Sequence, residues 1–231
     1  MADHNERALA AITDDLIKDL GRREGNTDRP AYQMLSLIER VGKNVNAVNK
    51  VRENRNPMDT DAAHSRKVAK AAQLMREQTR MIDQTALKLY QLSVERINKE
   101  IDQQAGLVEG KFDQEIRTAF RGLSEKQRAD TLSEALKNGN SEVIAAVCLG
   151  PSVLSGVDDK SRNEFIRDLR KAKAPQLLED LDEIHNAMSI TNVAREIADN
   201  LFNDSYDPKK QAEIDRAEAQ AKTAQEMLGL G

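Results

Sequence analysis

The chain has 231 residues, of which 32% are charged and only 3% aromatic, and its formal net charge at pH 7 is −4. It contains no tryptophan, so it lacks the large side chains that usually fill the centre of a compact enzyme. Eleven glycines and five prolines are few helix-breaking residues for a chain of this length, and strong helix formers are abundant. The composition therefore predicts an all-α, elongated bundle or coiled coil, with one very long helix and a smaller helical domain, and argues against an enzyme.

The first part of the chain, residues 1–110, is predicted to be a long-helix or coiled-coil region. A short helix with apolar residues from Leu9 to Leu20 is expected to end at Gly21. A seam of apolar residues follows, in which successive members are four, three, four and three positions apart, as in a coiled coil. It comprises Met34, Ile38, Val41, Val45 and Val48.

A single helix of about 45 residues, roughly 68 Å long, is predicted from Asp61 onward, because neither glycine nor proline occurs before Gly106. Its first apolar stripe consists of Val68, Ala72, Met75, Ile82, Ala86 and Leu89. A second stripe in a changed register consists of Leu87, Tyr90, Val94, Ile97, Ile101 and Val108. A change of register along one helix indicates a change of packing partner or of supercoil.

The remainder divides into a hinge with a short helix at 111–122, a small helical domain at 123–205, and a marginal helix or tail at 206–231. Ser124 and Gln127 fit a capping box, and Gly139 within Asn-Gly-Asn predicts a helix stop. The patterns at 122–128 and 156–162 match at an offset of 34 residues. They indicate either stacked helical hairpins or two ordinary helix starts.

Few residues suggest chemistry, and we predict no metal, no cofactor and no catalytic residue. Asp61 with His64, and Asp182 with His185, have a spacing used in di-metal bundles, but solvated polar faces explain them better. Cys148, the single cysteine, has apolar neighbours that predict an inert buried thiol. The apolar stretch 143–157 is expected to be a core hairpin, with transient membrane insertion as the alternative.

Charge is unevenly distributed. Residues 22–80 carry 13 basic and 7 acidic side chains, whereas residues 176–231 carry 5 basic and 12 acidic ones. The basic part could present a surface to nucleic acid, or be the solvated exterior of a coiled coil. The nucleic-acid hypothesis relies on Arg40, Lys43, Lys50, Arg52, Arg55, Arg66, Lys67 and Lys70.

The segment 143–175 contains Ile-Ala-Ala-Val at 144–147, Gly-Pro at 150–151, Leu-Ser-Gly at 154–156 and Lys-Ala-Pro at 173–175. It resembles uncharacterised helical proteins encoded among the structural genes of tailed bacteriophages and prophages. The resemblance implies a virion or assembly component. No functional residue is carried over from it.

We therefore predict a non-enzymatic structural or interaction protein whose partners are further copies of itself or virion proteins. The alternative is a nucleic-acid-associated protein acting in packaging or regulation. No signal peptide or stable membrane span is visible, so we expect the host cytoplasm or the virion as its location. The predicted interface comprises Met34, Ile38, Val41, Val45, Val48, Val68, Met75, Ile82, Leu89, Val94, Ile97 and Ile101.

Overall fold

The computed structural model describes residues 29–227, and within this range every regular element is a helix. The all-α prediction is therefore confirmed for the described residues, whereas the predicted helix at 9–20 lies outside them. The described helices are α1 (Pro30–Glu53), α2 (Asp61–Ala105), α3 (Asp113–Arg121), α4 (Glu125–Lys137), α5 (Ser141–Cys148), α6 (Ser152–Ser155), α7 (Asp159–Lys173), α8 (Pro175–Ser205) and α9 (Pro208–Met227).

The long helix α2 begins at Asp61, as the sequence predicts, but it ends at Ala105, so Val108 of the second predicted stripe lies beyond it. At its start, the Thr60 hydroxyl accepts a hydrogen bond from the backbone N–H of Ala63, 3.1 Å away, which satisfies one of the free donors of the first turn. At its end, Gly106 takes a φ of +69°, the left-handed conformation that closes many helices. Local sequence signals therefore mark both ends of this 45-residue helix.

The chain divides into two compact units, and the division lies inside helices rather than between them. Unit 1 contains the described residues up to Tyr90 and those from His185 onward, and unit 2 contains residues 91–184. Helices α2 and α8 each contribute to both units. This division differs from the predicted boundaries near 110, 122 and 205, because breaks in helical sequence mark the ends of helices and not the ends of packed units.

In unit 1, α1 and the first part of α2 bury their apolar seams. The buried positions of α2 recur at heptad spacing, at Val68, Ala72, Met75, Thr79, Ile82 and Ala86. Side chains of α2 contact those of α8 in reverse chain order, at Arg76 with Asp199, Asp83 with Arg195, and Tyr90 with His185. The two helices are therefore antiparallel in this unit.

In unit 2, the short apolar helix α5 lies at the centre and packs against α3, α4, α6 and α7. Ile144 and Val147 are fully buried in it, together with Leu169 of α7. Burying one such side chain contributes roughly 1.5–3 kcal/mol. The first half of the apolar stretch 143–157 thus lies in the core, as expected of a core hairpin.

The hairpins α4–α5 and α7–α8 begin 34 residues apart. Helix α4 starts at Glu125 and α7 at Asp159, and α5 and α8 start at the same offset, at Ser141 and Pro175. The 34-residue offset therefore holds for two successive helix starts, whereas the second helices differ in length, 8 residues in α5 and 31 in α8.

Candidate interaction surface

The predicted oligomer seam lies inside the folded chain. Ten of its twelve residues are buried in the single chain, and Leu89 and Val94 are partly buried. The buried ones are Met34, Ile38, Val41, Val45, Val48, Val68, Met75, Ile82, Ile97 and Ile101. Apolar groups that are already removed from water offer little further area to a second chain.

Part of the predicted nucleic-acid surface is neutralised by acids of the same chain. Arg55 pairs with Asp61 at 2.6 Å, and Lys67 pairs with Asp59 at 2.8 Å. Arg66 is also paired, with Asp215 at 2.7 Å and with Glu218.

Arg52 is partly buried, and its backbone carbonyl lies 3.3 Å from His64 Nε2. Four exposed cations of the predicted nucleic-acid set form no ion pair within residues 29–227. They are Arg40, Lys43, Lys50 and Lys70.

The two histidines of the di-metal hypothesis, His64 and His185, lie far apart. His185 Nδ1 lies 3.0 Å from the hydroxyl of Tyr90, and His64 is 26 residues earlier on the same helix as Tyr90. At 1.5 Å per residue this separation is about 39 Å, too far for a shared ion. No cluster of three or more potential metal ligands occurs in the part of the chain that the structure describes.

Cys148 is a buried free thiol at the end of α5. Burial raises the pKa of Cys148 from its ordinary value of 9.0 to about 11, although the nearby Arg162 guanidinium lowers it somewhat. A thiol that stays protonated near neutral pH is a poor nucleophile, as the sequence interpretation expects.

We expect Cys148 to make the fold sensitive to alkaline pH. Below pH 9.0 the Cys148 thiol is protonated in both the folded and the unfolded chain, and its contribution to stability is complete. As the pH rises from 9.0 to about 11, the thiol of the unfolded chain ionises first, and this contribution is lost. The loss amounts to at most about 2–3 kcal/mol. Denaturant unfolding should therefore show a steeper fall in stability between these pH values for the native chain than for Cys148→Ala. Equal pH dependence of the stability in the two chains would contradict this expectation.

An exposed segment, residues 149–154, follows the buried helix α5; it includes Ser152 and the start of α6, and we call it the apolar turn. Leu149 is 41% exposed, Val153 76% and Leu154 38%. Gly150 and Pro151 add no polar side chain between them. Apart from Ser152, the side chains that the apolar turn presents to water are therefore apolar, and clustered exposed apolar groups are typical of interaction sites in soluble proteins.

Arginine side chains hold the backbone on both sides of the apolar turn. Arg162 donates from Nε and Nη2 to the carbonyl of Cys148, at 3.0 and 2.8 Å. Arg121 donates to the carbonyl of Leu154 at 3.3 Å.

Two further arginines extend this pattern. Arg117 donates to the carbonyl of Ala146 at 3.0 Å, and Arg128 donates to that of Gly156. These bonds satisfy carbonyls at and after the end of α5 that have no partner within the helix. A backbone held in this way presents its apolar side chains with little ordering left to occur on binding.

Sequence reasoning did not separate this surface from the core next to it. The stretch 143–157 is mostly apolar, with Ser152 and Ser155 as its polar residues, and composition does not show which half α3 and α7 cover. The signal that could have found the apolar turn is Gly150-Pro151, which ends α5 and moves the following apolar residues out of the helical pattern.

No protein-family model, curated protein or solved structure matches this chain. The resemblance of residues 143–175 to phage-encoded helical proteins therefore stays a prediction. Within residues 29–227, no helix is both long enough and apolar enough to cross a membrane.

Proposed function

We propose that this chain is a non-enzymatic structural protein that binds other proteins through the apolar turn, residues 149–154. The observation that supports the proposal is the exposure of Leu149, Val153 and Leu154 on a backbone that Arg121 and Arg162 hold in place. Exposed apolar groups gain free energy when a partner covers them, roughly 25 cal/mol for each Å² removed from water.

The partners we propose are further copies of this chain or proteins of a bacteriophage particle, in the host cytoplasm or in the virion. Support for the phage setting comes from the resemblance of residues 143–175. The elongated coiled-coil architecture expected from the heptad spacing belongs to the same proposal. Light scattering combined with size-exclusion chromatography measures both mass and hydrodynamic size, and so tests self-association and elongation together.

Substituting Val153 by Asp should abolish partner binding and leave the fold intact. Val153 is 76% exposed, so its replacement removes a contact with the partner and not with the core. A charge in the centre of an apolar contact opposes binding, because the partner would have to remove it from water. We expect the oligomer mass to fall to that of the monomer, or the partner to be lost from the purified complex.

Val108→Asp is the matched control, since Val108 is also more than half exposed in unit 2 but lies outside the apolar turn. It should leave the association unchanged. If Val153→Asp associates as well as the native chain does, the apolar turn is not the interface.

The exposed cations Arg40, Lys43, Lys50 and Lys70 support nucleic-acid binding as a second candidate function. Such binding should weaken steeply as salt rises, because each neutralised phosphate releases counterions. A mobility-shift assay at low salt with no complex would remove this candidate.

A further inference from the structure

Arg121 lies beside the apolar turn with most of its hydrogen-bonding capacity unused. Its Nε donates to the carbonyl of Leu154 at 3.3 Å. Within residues 29–227 its two Nη groups donate to no acceptor and Arg121 forms no ion pair, although its side chain is exposed. Arg162, by contrast, uses its donors on the Cys148 carbonyl and on Asp159. A guanidinium held at one edge presents its remaining N–H groups in a fixed fork that matches a carboxylate.

The end of α9 is a helical segment without a packed face. Every residue from 215 to 227 is exposed, and Ile214 is the last buried one before them. Arg66 pairs with Asp215 and Glu218, near the beginning of this segment. Helices in proteins derive most of their stability from packing an apolar face, and short isolated ones are marginal in water. Contact with another surface would therefore stabilise the end of α9.

The last turn of α9 carries a carboxylate and an apolar side chain next to each other. Met227 is 82% exposed, and a flexible methionine side chain adapts well to an irregular apolar surface. Glu226 precedes it and pairs with Lys222 on the same helix at 3.9 Å. Both side chains of that pair are mostly exposed, so the pair contributes little and is readily exchanged for a better one.

We propose that the end of α9 of one copy of the chain docks on the apolar turn of a second copy. Glu226 accepts hydrogen bonds from the Nη groups of Arg121, and Met227 covers Val153 and Leu154. This inference rests on the function proposed above, and it identifies the partner of the apolar turn as the chain itself.

The distribution of charge favours this contact over one between two apolar turns. Residues 176–231, which include α9, carry 5 basic and 12 acidic side chains. They therefore offer carboxylates to an unpaired guanidinium. Two apolar turns in contact would instead bring the unpaired Arg121 of each copy to one interface, where like charges oppose binding.

The first measurement is the mass of the native full chain, determined by size-exclusion chromatography with light scattering over a range of concentrations at low salt. The monomer has a mass of 25.8 kDa. We expect a larger mass, because each copy supplies both an apolar turn and an α9. A chain that remains monomeric at every concentration overturns the inference.

The second measurement is an exchange of charges across the contact. Arg121→Glu and Glu226→Arg should each weaken self-association at least about tenfold, because each replaces an ion pair by two like charges. The chain that carries both substitutions should regain most of the native affinity, because the pair forms again with its charges exchanged. A double variant no better associated than the single ones would overturn the pairing of Arg121 with Glu226.

Glu213→Arg is the matched control, since Glu213 is exposed on the same helix and undergoes the same change of charge. It should leave the mass unchanged, and circular dichroism confirms that every variant is folded. If Val153→Asp dissociates the oligomer while Glu226→Arg and Arg121→Glu do not, the apolar turn is an interface but α9 is not its partner, and only this inference is lost. If Val153→Asp has no effect either, the proposed function is lost with it.

Discussion

Replacing Val45 with Asp will strongly destabilise the fold of unit 1, and will not merely separate subunits. Val45 lies on α1 with no exposed surface in the single chain. An ionised carboxylate placed there has no partner and no water, and an uncompensated buried charge costs about 3–5 kcal/mol. That is a large part of the total stability of a typical protein, about 5–15 kcal/mol.

Denaturant unfolding followed by circular dichroism checks this expectation. Ala47→Asp is the control, because Ala47 is exposed on the same helix and its substitution tests only the intrinsic cost of Asp in a helix. That cost should stay below about 1 kcal/mol. A Val45→Asp chain that unfolds at the native midpoint but has lost oligomer mass would instead restore the seam as an interface between subunits.

The helices could be predicted from the sequence because their ends depend on nearby residues. Gly106 and Gly139 both take the left-handed φ that their positions after a helix suggest. The capping box at Ser124 and Gln127 is also present. At α5, Asn140 caps the helix by accepting the N–H of Val143.

The packing of the helices could not be predicted in the same way. A heptad seam such as the one around Val45 requires a partner helix, but its spacing is the same whether that helix belongs to the same chain or to another. The division into units was missed for a related reason. It lies at Tyr90 in α2 and again before His185 in α8, where no glycine or proline marks it.

The candidate sites were predicted only in part. Paired charges such as Arg66 with Asp215 join residues far apart in sequence, so the basic count alone overstated the free cations.

The second large effect is expected at Ile144, where substitution by Ala should lower the free energy of unfolding by about 2–5 kcal/mol. Ile144 is fully buried in the core of unit 2. Truncation removes three buried carbon atoms and leaves a cavity that the arginine-held backbone on both sides cannot readily close. Thermal or denaturant unfolding measures the change.

Val153→Ala is the natural comparison, because it also shortens an apolar side chain within 143–157 but at an exposed position. Its effect should stay within about 0.5 kcal/mol, as for most surface substitutions. A large difference between the two variants would place the border between core and interaction surface at the end of α5. Similar losses in both would mean that the apolar turn stabilises the fold itself, and the proposed partner-binding surface would then have to be abandoned.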